Sequence, residues 1–268
     1  MSSSNAPVRI KSSKTNHSVG KAMRIIETMA EDGGPMRLQD IADRVDLPPS
    51  TAMRFLNTLA VHGYVHQHPE TLRYSLSLKL CAIADRINAQ VNVRDVIHPH
   101  IERLSHLCGE STCLAVEESR EVVYVDVVEG PDKMLKTLQR IGKRAPMHCT
   151  GVGKTMLLNY PDEIVREIIT ESGMERLTPN TITDPEHLLT ELMGVRSDGT
   201  AIDDEECEPG VRCVAAPVRD YTGRVIASIS VSGPASRLNG ERIAEVRVLT
   251  LSVALDASRD LGFIPSDT

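Results

Sequence analysis

Tryptophan is absent from the 268 residues, and two Phe and five Tyr make up the whole aromatic complement, 3% of the chain. Only Tyr124, Tyr160, Tyr221 and Phe263 fall beyond the first third. That part of the chain has too few rings for a stacking cage, so a pocket there must be aliphatic with polar contacts. No stretch of about 18 uninterrupted apolar residues occurs, which excludes a membrane-spanning helix. The six cysteines (Cys81, Cys108, Cys113, Cys149, Cys207, Cys213) form no CxxC pair and no framework spacing, so reduced thiols are expected. There is neither a Gly-x-Ser-x-Gly elbow nor a cysteine beside an organised base, and no catalytic nucleophile is indicated. The start, Met1 to Lys14, is Ser-rich with scattered basic residues and has no apolar h-region. It argues against secretion and for a cytoplasmic protein.

What is present is an ordinary globular composition, 41% hydrophobic and 25% charged, long enough for two domains. The net charge of −7 is unevenly spread. Residues 1–85 carry ten Lys/Arg against eight Asp/Glu, whereas the remaining 183 carry 20 against 29. Any phosphate-facing surface therefore belongs to the N-terminal third.

Residues 1–17 read as a disordered lead. From Ser18, apolar residues at Val19, Ala22, Ile25, Ile26 and Met29 form a helical stripe, ended by Asp32-Gly33-Gly34. A second helix turns Leu38, Ile41, Ala42 and Val45 inward. It breaks at Asp46-Leu47-Pro48-Pro49, because a residue before proline avoids the α region. A third helix runs from about Pro49 to His62, with Ala52, Phe55, Leu56 and Leu59 on one face and Pro49 suited to its first turn. Two short strands follow, Tyr64–His68 and Arg73–Leu78. Three helices, a tight turn between the last two and then a hairpin give the order of a winged helix-turn-helix. A generic three-helix bundle is the alternative. The free face of the third helix shows Ser50, Thr51, Arg54 and Asn57, side chains suited to phosphates and base edges.

An apolar-periodic segment from Leu78 to about Val93 reads as a connecting helix, which pairs across a dimer or packs on the chain's own second domain. Beyond it, helical and strand patterns alternate. A helix at Val96–Leu107 precedes strands Ser111–Glu117 and Glu121–Val128, joined by a tight turn at Glu118-Ser119-Arg120. Helices follow after Thr150-Gly151 and over Pro161–Ser172. Thr183-Asp184-Pro185-Glu186 announces another as a capping box, with Thr183 as N-cap. Strands Gly210–Arg219 and Arg224–Ser232 and a helix over Glu241–Leu261 complete an α+β domain on a mostly antiparallel sheet.

Three constellations have chemical potential. Thr150-Gly151-Val152-Gly153-Lys154-Thr155 ends like a phosphate-binding loop, but the required first glycine is His148 and no apolar strand precedes it. What remains is a helix start whose amides suit an anion, or equally a tight helix entry needing small residues. The run from Ile202 to Gly210, with five acids in six residues, reads as a solvated acidic loop rather than a metal site. Nothing in the spacing of His148, Cys149, Cys207 and Cys213 demands zinc, so no metal or cofactor is expected. Ser228, Ser230 and Ser232 alternate along one strand and share a face, as ligand hydrogen-bonders would.

Several blocks resemble the isocitrate-lyase-regulator (IclR) family of bacterial transcription factors. They are Leu38 to Leu47, Ser50-Thr51-Ala52, His62-Gly63-Tyr64-Val65, Val128-Glu129-Gly130, Arg144 to Lys154, Leu177 to Thr183, Asp203 to Glu206, Gly210 to Val218, and Ser230 to Pro234. The blocks occur in the family's order and spacing, and the match covers roughly residues 18–262. The resemblance implies a winged helix-turn-helix at 18–79, a linker helix at 80–94 and a GAF/PAS-like effector-binding domain at 95–268. It implies a homodimer or homotetramer on a palindromic operator in double-stranded DNA, controlled by a small organic acid. Carried over by position, the effector pocket uses the Gly151 and Val152 amides, Asp203, Cys213, Ser230 and Ser232, with Met134, Thr137 and Ala145 as an apolar wall. Pro49 and Met53 depart from the family, which often has a basic residue before the Ser-Thr pair and His or Tyr after it. The lost phosphate contact passes to Arg37, Arg54 or Arg73, and no operator preference can be inherited.

Overall fold

Asn16 starts the first helix: its side-chain oxygen accepts the N–H groups of Ser18 (2.9 Å) and Val19 (3.4 Å). The computed structural model describes residues 16–88, 92–130 and 140–265. Within these, the chain forms two units, divided between Val91 and Asn92.

In the first unit, α1 (His17–Asp32) buries Ile25 and Met29 and ends at Gly33, whose φ of 71° is the left-handed value a helix C-terminus favours. The expected lead therefore gives way to helix at His17, and residues 1–15 lie outside the described ones. Helix α2 (Leu38–Arg44) and α3 (Pro49–Val61) are joined by a turn with Asp46 at φ 52°. Strands β1 (Val65–Gln67) and β2 (Tyr74–Leu76) pair antiparallel and are shorter than their apolar runs suggested. Their closing turn begins already at His68, which accepts from Leu72 and donates to Arg73. Ile25, Met29, Ile41, Val45, Leu56, Leu59, Val65 and Tyr74 meet in one core. Next, α4 (Lys79–Asn88) is tied back by Lys79, whose ammonium donates to the His62 carbonyl at 2.7 Å and lies over the Tyr64 ring.

The second unit starts with a cap that the apolar periodicity hid. The side chain of Asn92 accepts from Arg94 N, so α5 (Val93–Cys108) begins three residues before the expected Val96 and takes in the end of the expected 80–94 linker helix. A six-stranded antiparallel sheet follows, in the order β5-β4-β3-β8-β7-β6. Its strands are β3 (Ser111–Glu118), β4 (Glu121–Val128), β5 (Arg144–Ala145), β6 (Ala201–Asp204), β7 (Val211–Arg219) and β8 (Val225–Pro234). Ser119 and Arg120, at φ 57° and 63°, make the tight turn between β3 and β4. Helices α5 and α9 (Gly240–Asp260) cover one face, against Leu114, Val214, Val218, Ile229 and Val231. The other face carries α6 (Gly151–Met156), α7 (Asp162–Ser172) and α8 (Pro185–Asp198).

The expected capping box at α8 is displaced by one residue. Asp184, not Thr183, is the N-cap and accepts from His187 N at 2.8 Å. Pro185 sets this frame: its missing N–H costs nothing at the first helical position, so the cap must precede it. Glu186 pairs instead with Arg166, and Thr183 accepts from Arg176.

Register makes the two sheet faces unlike. Cys113 opposes Ser230, Ala115 opposes Ser228, Cys213 opposes Ser232 and Ala215 opposes Ser230. At the centre of the three strands the α6 side thus carries Cys, Ala and Ser, while the opposite side is mostly Leu, Ile and Val with Ala216 and Ala227. Small side chains let α6 sit close: a Cβ on Gly151 would lie 3.1 Å from that of Ala215. A Cβ on Gly153 would strike the Met147 backbone. Gly153→Ala should therefore destabilise the fold by about 1–3 kcal/mol. Gly194→Ala, in the exposed middle of α8 with nothing within 4 Å, should stabilise it by up to about 1 kcal/mol. Urea unfolding of the two variants measures both, and equal effects would contradict this packing.

Candidate functional site: the exposed helix face and the sheet cavity

On α3, Ser50, Arg54 and Asn57 are spaced i, i+4, i+7 and all are exposed, so they share one outward stripe with Met53. The Arg54 guanidinium has no hydrogen-bond or ion-pair partner among the described residues. Thr51 is half-buried, and its N–H is bonded to the Pro48 carbonyl. Arg37 is exposed at the start of α2. Arg73 is less free, since it donates to the Pro35 carbonyl at 2.9 Å and braces the base of the hairpin.

In the second unit a cavity of about 280 Å³ opens over the small-residue face of the sheet. Ala145, Asp203 and Cys213 line it together with Tyr124, Lys143, Leu177, Cys207 and Val211. Ser230 and Ser232 lie on the same face and are fully buried; Ser230 Oγ is 3.0 Å from Cys113 Sγ. The third hydroxyl of the row, Ser228, is committed to the fold, accepting from Thr155 (2.7 Å) and donating to the Ala216 carbonyl. Gly151 and Val152 pack onto β7 at the start of α6. Thr150 caps that helix at Gly153 N, and the Gly151 and Val152 amides make no hydrogen bond within the described residues. Met134 and Thr137 lie outside the described residues.

The end of the near-miss phosphate loop has a different use. Lys154 is fully buried, and its ammonium donates to the Ile202 carbonyl (2.9 Å) and to Glu206 Oε1 (2.6 Å), with Glu191 at 3.6 Å. It faces the acidic run, not a ligand. That run is accordingly no solvated loop. It contains β6, and Asp203 and Glu206 are each only 6% exposed. Oδ1 of Asp203 accepts from Glu206 N (2.8 Å) and Cys207 N (3.2 Å), while Thr178 and Thr181 donate to the carbonyls of Glu205 and Glu206. Burial pushes the Asp203 carboxyl up to about 7, against the pull of those two amides. Acids in sequence look solvated; here a buried lysine and four hydrogen bonds hold them in. Among the described residues, no three His, Cys, Asp or Glu side chains are placed to hold a metal ion.

Residues 18–69 match the IclR helix-turn-helix domain, and residues 86–259 match the bacterial transcriptional regulator IclR C-terminal family. The chain belongs to the IclR family. The HTH-type transcriptional regulator XynR of Escherichia coli (strain K12) is 32% identical over 246 residues, covering 92% of this chain and 97% of XynR. The HTH-type transcriptional repressor AllR of the same strain is 31% identical over 242 residues, covering 90% and 89%. The crystal structure of Thermotoga maritima IclR aligns with a TM-score of 0.62 at 30% identity, covering 92% and 99%. This IclR-family protein is thus a DNA-binding transcriptional regulator with an effector-binding C-terminal domain. Its relatives regulate transcription rather than catalyse reactions.

Reading the IclR-family sequence missed Tyr124 and Lys143. Tyr124 is on β4, where alternation with Val122 turns both toward the cavity side. Lys143 is a lone basic residue before Gly151, where a phosphate loop would have its apolar strand. Its ammonium stands exposed at the cavity edge with no partner among the described residues. Arg144 beside it is taken up by Glu118 and Glu121.

The Asp203 shift sets a pH dependence. Its folded value lies above the ordinary 3.8, so its contribution to stability is full below about 3.8 and lost as pH rises through about 7. Asp203→Asn retains an oxygen for both amides and removes the ionisation. The melting temperature of this variant should gain on the wild type by at least about 2 °C between about pH 5 and pH 8. A difference independent of pH would contradict a raised Asp203.

Proposed function

We propose that α3 reads a palindromic operator in double-stranded DNA through Ser50, Thr51, Arg54 and Asn57, with Arg37 and Arg73 on flanking phosphates. A homodimer or homotetramer would match such a palindrome, since a two-fold protein reads two half-sites. A regulator of transcription would work where the chromosome is, in the cytoplasm. Residues 18–79 would be the DNA-binding part and the segment through Asn92 the linker, with the effector domain beginning where Asn92 caps α5.

The effector is a small organic acid, and one observation carries that reading: the unpaired Lys143 ammonium at the edge of a cavity that Tyr124, Ala145, Asp203 and Cys213 also line. A cavity of about 280 Å³ suits an acid of a few carbon atoms. The acid's carboxylate meets Lys143, the free Gly151 and Val152 amides supply further donors, and Asp203, when protonated, donates to it or accepts from a ligand hydroxyl. Cys213 would form the floor and Ala145 the wall, with Ser230 and Ser232 buried beside Cys213 on the same sheet face and reached only if the cavity deepens; Met134 and Thr137 are assigned to the wall by resemblance alone. The acid alters operator affinity only so far as it binds one conformation better than another.

Two experiments test this. Gel shifts against DNA selected from random sequence should yield a palindrome. The double variant Arg54→Ala with Ser50→Ala should lose binding to it, and Arg37→Ala should lower the salt slope by about 0.9 per phosphate contact. Undiminished binding by the double variant would overturn the assigned face. A thermal-shift screen of aliphatic carboxylic acids should give hits that Lys143→Ala and Ser230→Ala both weaken. A hit unchanged in both variants would place the effector elsewhere.

A further inference from the structure

Three residues that line the cavity keep hydrogen-bonding capacity the fold leaves unused. Lys143, with its free ammonium at the edge, is the first. Tyr124 is the second: only 5% exposed, it has no hydrogen-bond partner for its hydroxyl among the described residues. The third is Asp203, whose Oδ1 takes both loop amides while Oδ2 has no partner among the described residues. Buried polar groups are normally paired, so the phenol and the carboxylate oxygen both call for a partner from outside the chain. All three are held by backbone. Tyr124 N donates to the Lys143 carbonyl (3.1 Å) and Gly142 N to the Tyr124 carbonyl (2.8 Å), so phenol and ammonium stand on paired segments. Tyr124 opposes Ala115 and Asp203 opposes Cys213, which puts a small side chain beside each.

The charges around the cavity are unequal. Of its two lining cations, Arg144 is paired with Glu118 and Glu121, which leaves Lys143 as the free one among the described residues. Asp203 and Glu208 bring negative charge to the same lining. One carboxylate therefore has a place, at Lys143, and a second would meet acids and no free cation. An unsubstituted aliphatic tail would leave Tyr124 and Asp203 dry and unpaired. A hydroxyl group answers both, because it donates and accepts. It can accept from the Tyr124 phenol, which burial pushes up and keeps protonated. It suits Asp203 in either state, donating to the carboxylate or accepting from the carboxylic acid.

We propose that the cavity selects a hydroxylated monocarboxylic acid, whose carboxylate pairs with Lys143 and whose hydroxyl groups hydrogen-bond to Tyr124 and Asp203. Hydroxy acids are a narrower class than the organic acids proposed above, and the assignment rests on that reading. Lys143 supplies affinity for any monoacid; Tyr124 and Asp203 determine which one is preferred. Such discrimination is steep, because an analogue without the hydroxyl leaves the site's own buried groups unpaired. A dicarboxylate of the same length is disfavoured for a different reason, the repulsion from Asp203 and Glu208.

The test is calorimetric titration of the full chain with short unbranched monocarboxylic acids, each beside its hydroxy derivatives and the dicarboxylate of equal length. The best hydroxy acid should bind at least about tenfold more tightly than its deoxy counterpart, and more tightly than the dicarboxylate. Tyr124→Phe removes only the phenol oxygen, and Asp203→Asn puts an amide where Oδ2 stood. Each should narrow the hydroxy-to-deoxy ratio by at least about threefold and leave the deoxy acid's affinity within about twofold. Equal losses for both acids in both variants would mean that the two residues only support the fold, and would overturn the proposal. Equal affinities of the two acids for the wild type, with Lys143→Ala weakening both, would overturn it too while the organic-acid reading stood. Binding that Lys143→Ala does not weaken, or no binding by any acid, would overturn both.

Discussion

Lys154 of α6 holds an ammonium without solvent contact. Through the Ile202 carbonyl and the Glu206 carboxylate it ties the helix to β6 and to the loop that follows. Removing one member of such a buried pair strands the other charge at a cost of about 3–5 kcal/mol, so the pair is an all-or-none fastening. Asp203, whose amide partners belong to that same loop, and Cys207, which forms part of the cavity wall, depend on it for their positions.

The second constraint is side-chain size. Alternation along β3, β7 and β8 sends Leu, Ile and Val to α5 and α9, and Cys, Ala and Ser to α6. A branched residue at Ala215 or Ser230 would fill the space that α6 and the cavity share. Gly151 and Gly153 do the same from the helix side, where their missing side chains allow the close approach. The cavity lies between the segment that leads into α6 and the acidic loop, beside Cys213 of the small-residue face.

How far the sequence could be read depended on whether a signal was local. Helix periodicity, the Pro48-Pro49 break and the hairpin located the helices and strands of the first unit to within a few residues, because each rests on local backbone preference. The row of serines disclosed its shared face by alternation alone. The acidic run was misread because its neutralising partner is some fifty residues away in sequence, and periodicity carries no information on long-range pairs. Lys143 was passed over for a related reason: a lone basic residue acquires meaning only when Tyr124 and Asp203 are folded around it. The shifted cap at α8 was a local error, since Pro185 already dictated where the helix begins.

The central claim is that one small acid, bound over the sheet, and one operator, bound at α3, communicate. Linkage makes this testable without a further structure, because two coupled ligands must alter each other's affinity by the same factor. The measurement is a pair of titrations: operator affinity with and without the acid that most stabilises the protein, and acid affinity with and without saturating operator. The account predicts equal factors of at least about fivefold in both directions. An operator affinity unchanged by saturating acid would contradict it.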